Sequence, residues 1–294
     1  QGVAIIYISH RLEEIMRVCD RVTILRDGRR IDSAFVKDIE VEWIIERMVG
    51  HAQLTIEKKP YPGAPEPVLE VIDYKLPRLG GGYTVDHVSF TLHRGEVLGI
   101  YGLMGAGRTE LVESLMGLHP ESSGEMVLDG AKITHPVVSE QIARGMVLVP
   151  EDRQKDGLVQ CMSIFNNMRL TSLKRLSTHG LMREKDSRRE VAETVRDLQV
   201  KVADVNHLVT ALSGGNQQKV VIGKCVMAHA KVFIMDEPSR GIDVGAKTDI
   251  FNLMRGFAAQ GMGVLFIGSE LKEIMSVCDR VLVMSDRKST RLNS

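Results

Sequence analysis

A glycine-rich loop between a buried strand and a helix is the feature that most constrains the fold of this chain. The loop is Gly102-Leu103-Met104-Gly105-Ala106-Gly107-Arg108-Thr109, and it joins an apolar run at residues 96–101 to a predicted helix at residues 108–115. Glycines have no side chain, so backbone N–H groups can close around phosphate oxygens, and the positive end of the following helix favours the same anion. The segment therefore predicts a nucleotide phosphate loop in an α/β protein.

The charged position of this loop departs from the usual pattern. The pattern G-x-x-x-x-G-K-[ST] is matched at Gly102, Gly107 and Thr109, whereas Arg108 stands where the lysine belongs. Glycine-rich turns between a strand and a helix also serve as plain connectors, so the loop alone leaves both interpretations open. Tyr83, upstream of the loop, is equally open: its ring either stacks on an adenine or belongs to an ordinary loop tyrosine.

Composition narrows the class of protein only a little. Lys and Arg number 38, as do Asp and Glu, so no net charge points to nucleic acid. No apolar run approaches the roughly 18–20 residues that span a bilayer, so work at a membrane would require a partner. The cysteines lack metal-ligand spacing, which predicts reduced thiols packed as small apolar residues. They are Cys19, Cys161, Cys225 and Cys278.

An internal repeat divides the chain. Residues 1–10 match residues 260–269 without a gap, an offset of 259 residues that stays constant through residues 18–22 and 277–281. A match at a fixed long period indicates two tandem copies of one domain. Residues 1–50 are then the C-terminal part of a first copy. Within this part, a buried strand is predicted at residues 4–9. The proline-rich residues 51–67 form a linker, and residues 68–286 form the second copy.

Three more segments of the second copy carry chemical information. Residues 152–211 are rich in charge without a strand pattern, which predicts a helical subdomain inserted into the α/β core. Leu212-Ser213-Gly214-Gly215-Asn216-Gln217-Gln218-Lys219 opens a helix, either as a simple N-cap or as a start that presents free N–H groups to an anion. An apolar strand then ends at Asp236 and Glu237. An aspartate at this position can hold Mg²⁺, and the neighbouring glutamate can orient or deprotonate a water molecule.

Together, these segments and Ser239-Arg240-Gly241-Ile242-Asp243-Val244-Gly245-Ala246-Lys247 resemble the ATP-binding subunit of bacterial ABC importers. The resemblance is specifically to the tandem-domain class that imports ribose, galactose or xylose, and it covers nearly the whole chain. It implies an α/β P-loop NTPase of the ABC type, with a β core, an inserted helical subdomain, and ATP and Mg²⁺ as ligands. In this family two nucleotide domains face each other head to tail. Each ATP lies between the phosphate loop of one domain and the LSGG signature of the other.

The resemblance also implies partners and residue roles. The partners are the first nucleotide domain, permease subunits in the membrane and, indirectly, a periplasmic sugar-binding protein, at the cytoplasmic face of the bacterial inner membrane. Glu237 matches the catalytic glutamate, His10 the switch histidine of the first domain, and Thr109 and Asp236 the Mg²⁺-associated residues. The other implied nucleotide-binding residues are Tyr83, Gly102, Gly105, Ala106, Gly107, Arg108, Glu151, Ser213, Gly214, Gly215, Asp243 and Ser269.

Three positions depart from the family pattern. Arg108 replaces a lysine, Glu151 replaces the glutamine of the glutamine loop, and Ser269 replaces the second switch histidine. An arginine fork aims its donors differently from an ammonium, Glu151 would add negative charge near a triphosphate, and a serine has no ring donor for the γ-phosphate. We predict that the site built on Arg108 binds ATP and hydrolyses it poorly. The intact signature would instead serve the first domain's ATP, which His10 contacts.

Two other interpretations stay open at this point. One is a soluble tandem ABC protein that acts as a nucleotide-dependent clamp on ribosomes or DNA, against which the balanced charge argues. The other is that the isolated chain is weakly active or inactive. Residues 287–294 resemble translated adaptor sequence, so we interpret them as a non-native tail. The transported sugar is not predicted, because selectivity in this family belongs to the binding protein and the permease.

Overall fold

The computed structural model describes residues 2–9, 12–26, 28–49, 66–285 and 288–292. They form two compact units, Gln1–Thr55 and Ile56–Ser294. The helices are α1 (Leu12–Val18), α2 (Val41–Val49), α3 (Arg108–Met116), α4 (Val138–Arg144), α5 (Ile164–Arg169), α6 (Glu184–Asp197), α7 (Gly214–Val226), α8 (Val244–Ala259) and α9 (Leu271–Val277). The strands are β1 (Arg21–Arg26), β2 (Arg29–Phe35), β3 (Pro67–Pro77), β4 (Tyr83–His93), β5 (Val97–Gly102), β6 (Ser123–Leu128), β7 (Ala131–Ile133), β8 (Met146–Val149), β9 (Ser177–Thr178), β10 (Leu181–Met182), β11 (Val232–Asp236), β12 (Gly263–Gly268), β13 (Arg280–Ser285) and β14 (Lys288–Leu292).

The first unit is a small helix and hairpin assembly. Strands β1 and β2 pair in antiparallel fashion, and Gly28 in the turn between them has a φ of +73°. Val22 and Ile24 of β1 are buried while Thr23 and Leu25 are exposed, which is the period of two expected of a half-buried strand. The buried side packs with Ile44 of α2.

The prediction of a buried strand at residues 4–9 is wrong. These residues have no regular secondary structure, and Ile5, Ile6 and Ile8 are exposed. A strand that is apolar on both faces needs neighbours on both edges, and β12, its match in the second copy, lies between β5 and β11. Within its described residues, the first unit contains only the β1–β2 hairpin, which leaves no such place.

The second unit contains a six-stranded sheet in the order β14-β13-β5-β12-β11-β8, in which only β14 runs antiparallel to its neighbour. A separate antiparallel sheet has the order β4-β3-β6-β7. Every residue of β11 and β12 is buried, as is typical of central parallel strands covered on both faces. The predicted α/β class is thereby confirmed.

The large sheet separates two hydrophobic cores. Val264 and Phe266 of β12 point to the side covered by α7, α8 and α9. Leu265 and Ile267, the alternate residues, point to the side covered by α3 and the antiparallel sheet. Because side chains alternate along a strand, a shift of β12 by one residue would exchange the two sets, so the pairing of this strand is strongly fixed.

The chain between β8 and α7 is mainly helical. It contains a π-helical turn at Arg153–Gly157, helices α5 and α6, and the short β9–β10 hairpin, which the sequence did not predict. Helix α6 buries Ser187, Val191 and Thr194, which share one helical face, and its charged residues form ion pairs on the exposed side. The limits of the predicted helical insert, residues 152–211, stay a prediction.

Two other predicted segments lie at or beyond the limits of the described chain. The linker at residues 51–67 lies outside the described residues except for Glu66 and Pro67, and His10 is also outside them. Lys288–Leu292 pairs with β13 as an edge strand. The interpretation of residues 287–294 as non-native stays a prediction.

Tight packing at Gly99 of β5 gives a stability prediction. A Cβ atom at this position would lie 2.7 Å from Cys278 Sγ and 3.0 Å from Ile274 Cγ2. We expect Gly99→Ala to lower the free energy of unfolding by about 1–3 kcal/mol, since added volume strains a packed core. Urea unfolding measures this value.

Gly256 of α8 is the matched control, because no atom lies within 4 Å of a Cβ added there. Gly256→Ala should raise the free energy of unfolding by about 0.5–1 kcal/mol, the usual gain of alanine over glycine in a helix. Equal effects of the two substitutions would contradict the packing argument.

Candidate functional site

The carboxyl ends of three parallel strands bring the central site residues together. Tyr101 near the end of β5 is in register with Gly268 of β12, and Ile267 is in register with Asp236 of β11. The glycine-rich loop follows β5, Glu237 follows β11 and Ser269 follows β12. Ligands of open α/β sheets bind at this edge, so the fold places these segments where a nucleotide site is expected.

Each glycine of the phosphate loop is required for a different physical reason. A Cβ atom at Gly102 would lie 2.6 Å from the carbonyl oxygen of Met284, and one at Gly107 would lie 2.3 Å from the carbonyl oxygen of Thr84. Gly105 has a φ of +80°, and no atom lies within 4 Å of a Cβ added there. Gly102 and Gly107 therefore allow close packing, while Gly105 supplies a left-handed backbone beside open space. Ala106 is buried between them.

Arg108 begins α3, and its guanidinium points towards the end of β12. Nη1 donates a hydrogen bond of 2.8 Å to the carbonyl oxygen of Gly268 and lies 3.4 Å from Glu237 Oε1. The side chains of Arg108 and Glu237 are each 13% exposed, so water screens their interaction only partly. The arginine that replaces the lysine is thus engaged with the predicted catalytic glutamate.

Glu237 is contacted on both carboxylate oxygens. Ser269 Oγ donates to Oε2 at 3.1 Å, opposite the contact of Arg108 with Oε1. Burial raises the pKa of Glu237, and the hydrogen bond from Ser269 and the charge of Arg108 act in the opposite direction. Its φ of +44° is unusual for a residue with a side chain and costs on the order of 1–3 kcal/mol. Two of the three departures from the family pattern therefore meet at this carboxylate.

Asp236 and Thr109 form a buried polar pair. Asp236 is 1% exposed and accepts a hydrogen bond from the Thr109 side chain. Burial raises its pKa to about 6, while that hydrogen bond lowers it. Asp236 Oδ1 has no hydrogen-bond partner among the described residues. A hydroxyl and a carboxylate with a spare oxygen are hard ligands, so this pair fits Mg²⁺.

The signature segment starts α7. Ser213 is exposed in an extended conformation, and its Oγ accepts a hydrogen bond of 3.0 Å from Asn216 Nδ2. A Cβ atom at Gly215 would lie 2.4 Å from Ala246 Cβ, and one at Gly214 would lie 2.8 Å from Arg153 Nη2. Gly215 is thus required by the packing of α7 on α8. The first N–H groups of α7 have no partner within the helix, which is the property that attracts anions.

Three other predicted residues have local roles in the fold. Asp243 caps α8, because its side chain accepts a hydrogen bond of 2.9 Å from the backbone N–H of Ala246. Tyr83 starts β4, is 38% exposed and meets the His87 ring edge-on at 5.6 Å between centroids. Glu151 forms an ion pair with Arg240.

The contacts divide the predicted residues into two groups. The phosphate loop, Asp236, Glu237 and Ser269 share neighbours at the end of β5 and β12. In the signature, Gly214 instead lies against Arg153, Gly215 against Ala246, and Ser213 contacts Asn216. His10 lies outside the described residues. The second unit thus presents a phosphate loop and a signature that are held by different parts of its fold.

Sequence reasoning missed the polar side chains that support these groups. Ser239 Oγ donates to Glu273 Oε2 at 2.8 Å, and Lys247 pairs with the other carboxylate oxygen. Arg153 donates to the backbone of residues 240 and 241. These contacts join elements that are distant in sequence and follow no periodic pattern, so a single sequence gives little indication that they form.

The fold and the site define an ATP-binding cassette, and comparison with known proteins agrees. A family model described as "ABC transporter" matches residues 85–240. The chain therefore belongs to the ABC transporter family, and the predicted P-loop NTPase fold of the ABC type is confirmed. Among the described residues, no helix has both the length and the apolar character to cross a membrane.

Curated relatives narrow the resemblance. The chain is 40% identical to the ribose import ATP-binding protein RbsA of Oceanobacillus iheyensis, over 97% of this chain and 57% of that protein. It is 42% identical to RbsA of Chelativorans sp., over 97% of this chain and 55% of that protein. It is 38% identical to the uncharacterized ABC transporter ATP-binding protein YphE of Escherichia coli, over 96% of this chain and 56% of that protein. The chain thus spans little more than half the length of these relatives.

Solved structures show the same fold at low identity. A nucleotide-free ATP-binding cassette from an ABC transporter superposes with a TM-score of 0.65 at 22% identity, over 76% of this chain and 90% of that one. A dimeric ATP-binding cassette in a post-hydrolysis state, bound to ADP and Pi, gives a TM-score of 0.65 at 18% identity, over 77% of this chain and 99% of that one. The predicted resemblance to ABC ATP-binding subunits is confirmed at the level of fold and family.

The raised pKa of Asp236 predicts how stability depends on pH. The folded protein holds the proton up to about pH 6, whereas the unfolded chain loses it near 3.8. The folded state therefore binds more protons between these values, and the free energy of unfolding falls as pH rises through this window, by at most about 3 kcal/mol. Urea unfolding in EDTA without nucleotide, from pH 4 to pH 7, measures the slope.

Asp236→Asn is the control, because an amide of the same shape does not titrate. Relative to this variant, the natural protein should lose stability between pH 4 and pH 6 and run parallel to it above pH 6. Parallel curves over the whole range would show that the carboxyl of Asp236 has an ordinary pKa.

Proposed function

We propose that this chain is part of the ATP-hydrolysing subunit of an ABC importer for a monosaccharide. The observation that carries the proposal is the convergence of the phosphate loop, Asp236 and Glu237 at one sheet edge, with a separate signature at the start of α7. The identity with proteins named for ribose import supports a sugar as the cargo. The relatives reported above are named as transporter proteins, so they give the alternative of a ribosome or DNA clamp no support.

In this proposal the backbone N–H groups of the phosphate loop and the start of α3 bind the phosphates of ATP. Thr109 and Asp236 hold Mg²⁺, which supplies positive charge to the phosphate oxygens. Glu237 orients or deprotonates the attacking water, a role that suits a carboxylate whose pKa is raised by burial. Tyr83 offers a partly exposed ring for the base, and the face opposite His87 would take it.

The contacts of Glu237 support a site that binds ATP and hydrolyses it poorly. Both oxygens of Glu237 already have partners in Ser269 and Arg108, and their hydrogen bond and positive charge make the carboxylate a weaker base. Arg108 also donates to the carbonyl oxygen of Gly268, so its guanidinium is engaged with protein groups. Ser269 has no ring donor for the γ-phosphate. Arg108 and Ser269 therefore bind the carboxylate of Glu237 and do not assist it as a base.

The signature would complete a second, active site. Ser213 and Gly214 would face the ATP of the first nucleotide domain, of which residues 1–50 form the C-terminal part, and His10 would contact the same ATP. Residues 51–67 would link the two domains, and Asp243 would lie in the loop that signals between them. The pair would act on permease subunits at the cytoplasmic face of the bacterial inner membrane, supplied by a periplasmic sugar-binding protein. The isolated chain would then be weakly active or inactive.

ATPase rates of the full tandem subunit with its permease test this assignment. We expect His10→Ala to lower kcat by about 100-fold or more, because it removes a donor to the γ-phosphate at the active site. Glu237→Gln should lower kcat less than about threefold, because it changes the weak site. Thermal unfolding of both variants serves as the folding control. A larger loss from Glu237→Gln would reverse the assignment of the two sites.

The Mg²⁺ ligands can be tested on the 294-residue chain by nucleotide binding. Thr109→Val removes the hydroxyl and keeps the shape, so the gain in affinity for a fluorescent ATP analogue on adding Mg²⁺ should fall about tenfold. Affinity in EDTA should change by less than about twofold, because the phosphates still contact the backbone. Thr109→Ser should keep the Mg²⁺ response. An equal loss with and without Mg²⁺ would contradict the assignment of Thr109 as a metal ligand.

A further inference from the structure

Two contacts join the segment after β8 to the loop that follows Glu237. The carboxylate of Glu151 forms an ion pair with the guanidinium of Arg240. Two residues further on, Arg153 Nη1 donates to the carbonyl oxygen of Arg240 at 2.8 Å, and Nη2 donates to that of Gly241 at 3.1 Å. A planar fork with two parallel donors fixes the direction as well as the distance of the backbone that it binds.

The same arginine lies against the signature. A Cβ atom at Gly214 would be 2.8 Å from Arg153 Nη2 and 3.2 Å from the carbonyl oxygen of Gly241. Arg153 Nε is buried and has no acceptor among the residues that the structure describes. An unpaired buried donor such as Nε destabilises this placement of the side chain. The hydrogen bonds of the two Nη atoms must therefore hold the side chain in place.

A second path connects the same loop to the signature. Gly241 has a φ of +66° and leads to Asp243, whose side chain caps the start of α8 at Ala246. Ala246 in turn lies against Gly215 of α7, where a Cβ atom would come within 2.4 Å. The loop after Glu237 is therefore joined to the start of α7 both through Arg153 and through the start of α8.

We propose that Glu151, Arg153 and Arg240 form a latch that sets the signature in position relative to the loop containing Asp243. Arg153 is a positioning residue, because it acts through the backbone of residues 240 and 241 and through Gly214. Glu151 is a latch residue whose charge is balanced by Arg240, so its replacement of a glutamine is matched by a cation on the facing loop. The effect on ATP hydrolysis rests on the proposed function, whereas the latch itself does not.

Hydrogen–deuterium exchange on the 294-residue chain tests the latch without nucleotide or permease. Arg153→Lys keeps the charge and loses the fork, so exchange of the first hydrogen-bonded amides of α7 and α8, at residues 217–219 and 246–248, should rise about tenfold, while residues 111–113 of α3 stay unchanged. Glu151→Gln, a milder change, should raise exchange at residues 246–248 by about threefold. Arg189→Gln, which breaks an exposed helical ion pair of 3.5 Å with Asp186, is the matched control and should change neither region. Unaltered exchange at residues 217–219 and 246–248 in both latch variants would overturn the proposal.

A double-mutant cycle in the full tandem subunit tests the functional consequence. Glu151→Gln and Arg240→Gln should each lower kcat about threefold to tenfold with KM within about twofold, and the double variant should be no worse than either single one. Arg153→Lys should be as slow as Arg153→Gln, because lysine keeps the positive charge but lacks the two parallel donors of arginine. If Glu151→Gln instead raised the rate or the affinity for ATP, Glu151 would be a nucleotide contact and not part of a latch. A different result would be that the natural tandem subunit also fails to hydrolyse ATP while hydrogen–deuterium exchange in the latch variants rises as expected. That result would support the latch and contradict the proposed function.

Discussion

The parallel pairing of β5, β12 and β11 is the constraint on which the site depends. These strands end at one edge, so residues far apart in sequence, such as Arg108, Glu237 and Ser269, come within hydrogen-bond distance of shared partners. The opposite end of the sheet is also held in place, because the side chain of Asp279 accepts a hydrogen bond of 2.9 Å from the backbone N–H of Val97 at the start of β5. Both faces of the sheet are covered, so a slip in register would bury the wrong side chains.

Charge balance is the second constraint, because the edge collects ionised groups where water is scarce. Asp236 is nearly fully buried, and Glu237 is mostly buried beside it. Burial raises the pKa of both carboxyls, the charge of Glu237 raises that of Asp236 further, and the nearby guanidinium of Arg108 lowers both. An arginine that reaches both Gly268 and Glu237 therefore stabilises this arrangement, and in the proposed function the same contacts would weaken the glutamate as a base. In this proposal, the contacts of Arg108 that stabilise the fold would also reduce catalysis by Glu237.

Local patterns in the sequence predicted the elements that carry their own information. The helix predicted at residues 108–115 is observed at Arg108–Met116, and the signature segment opens a helix as predicted. The prediction failed for residues 4–9, because an apolar run becomes a strand only when neighbouring strands cover it. The same cause hid the partners of Glu151 and the packing role of Gly215, since both depend on a loop or helix distant in sequence. Periodicity predicts which face is buried, and it does not predict which charged loops meet.

The departures from the family pattern are physically connected, which bears on what this site retains. A decayed site would leave unbalanced charges, and a partly buried charge without a partner is costly. Here Arg108 and Ser269 both contact Glu237, and Glu151 pairs with Arg240. The loop glycines keep the close approaches that shape the phosphate cradle, and Asp236 keeps a free buried oxygen beside Thr109. In the proposed function, Arg108 and Ser269 are the changed groups that would act on the γ-phosphate, Glu151 belongs to the latch, and the groups that would hold the rest of a nucleotide and its metal are intact. On the proposed function, such a division describes a site kept for binding, whose occupancy would order the loops that position the signature for the opposite site.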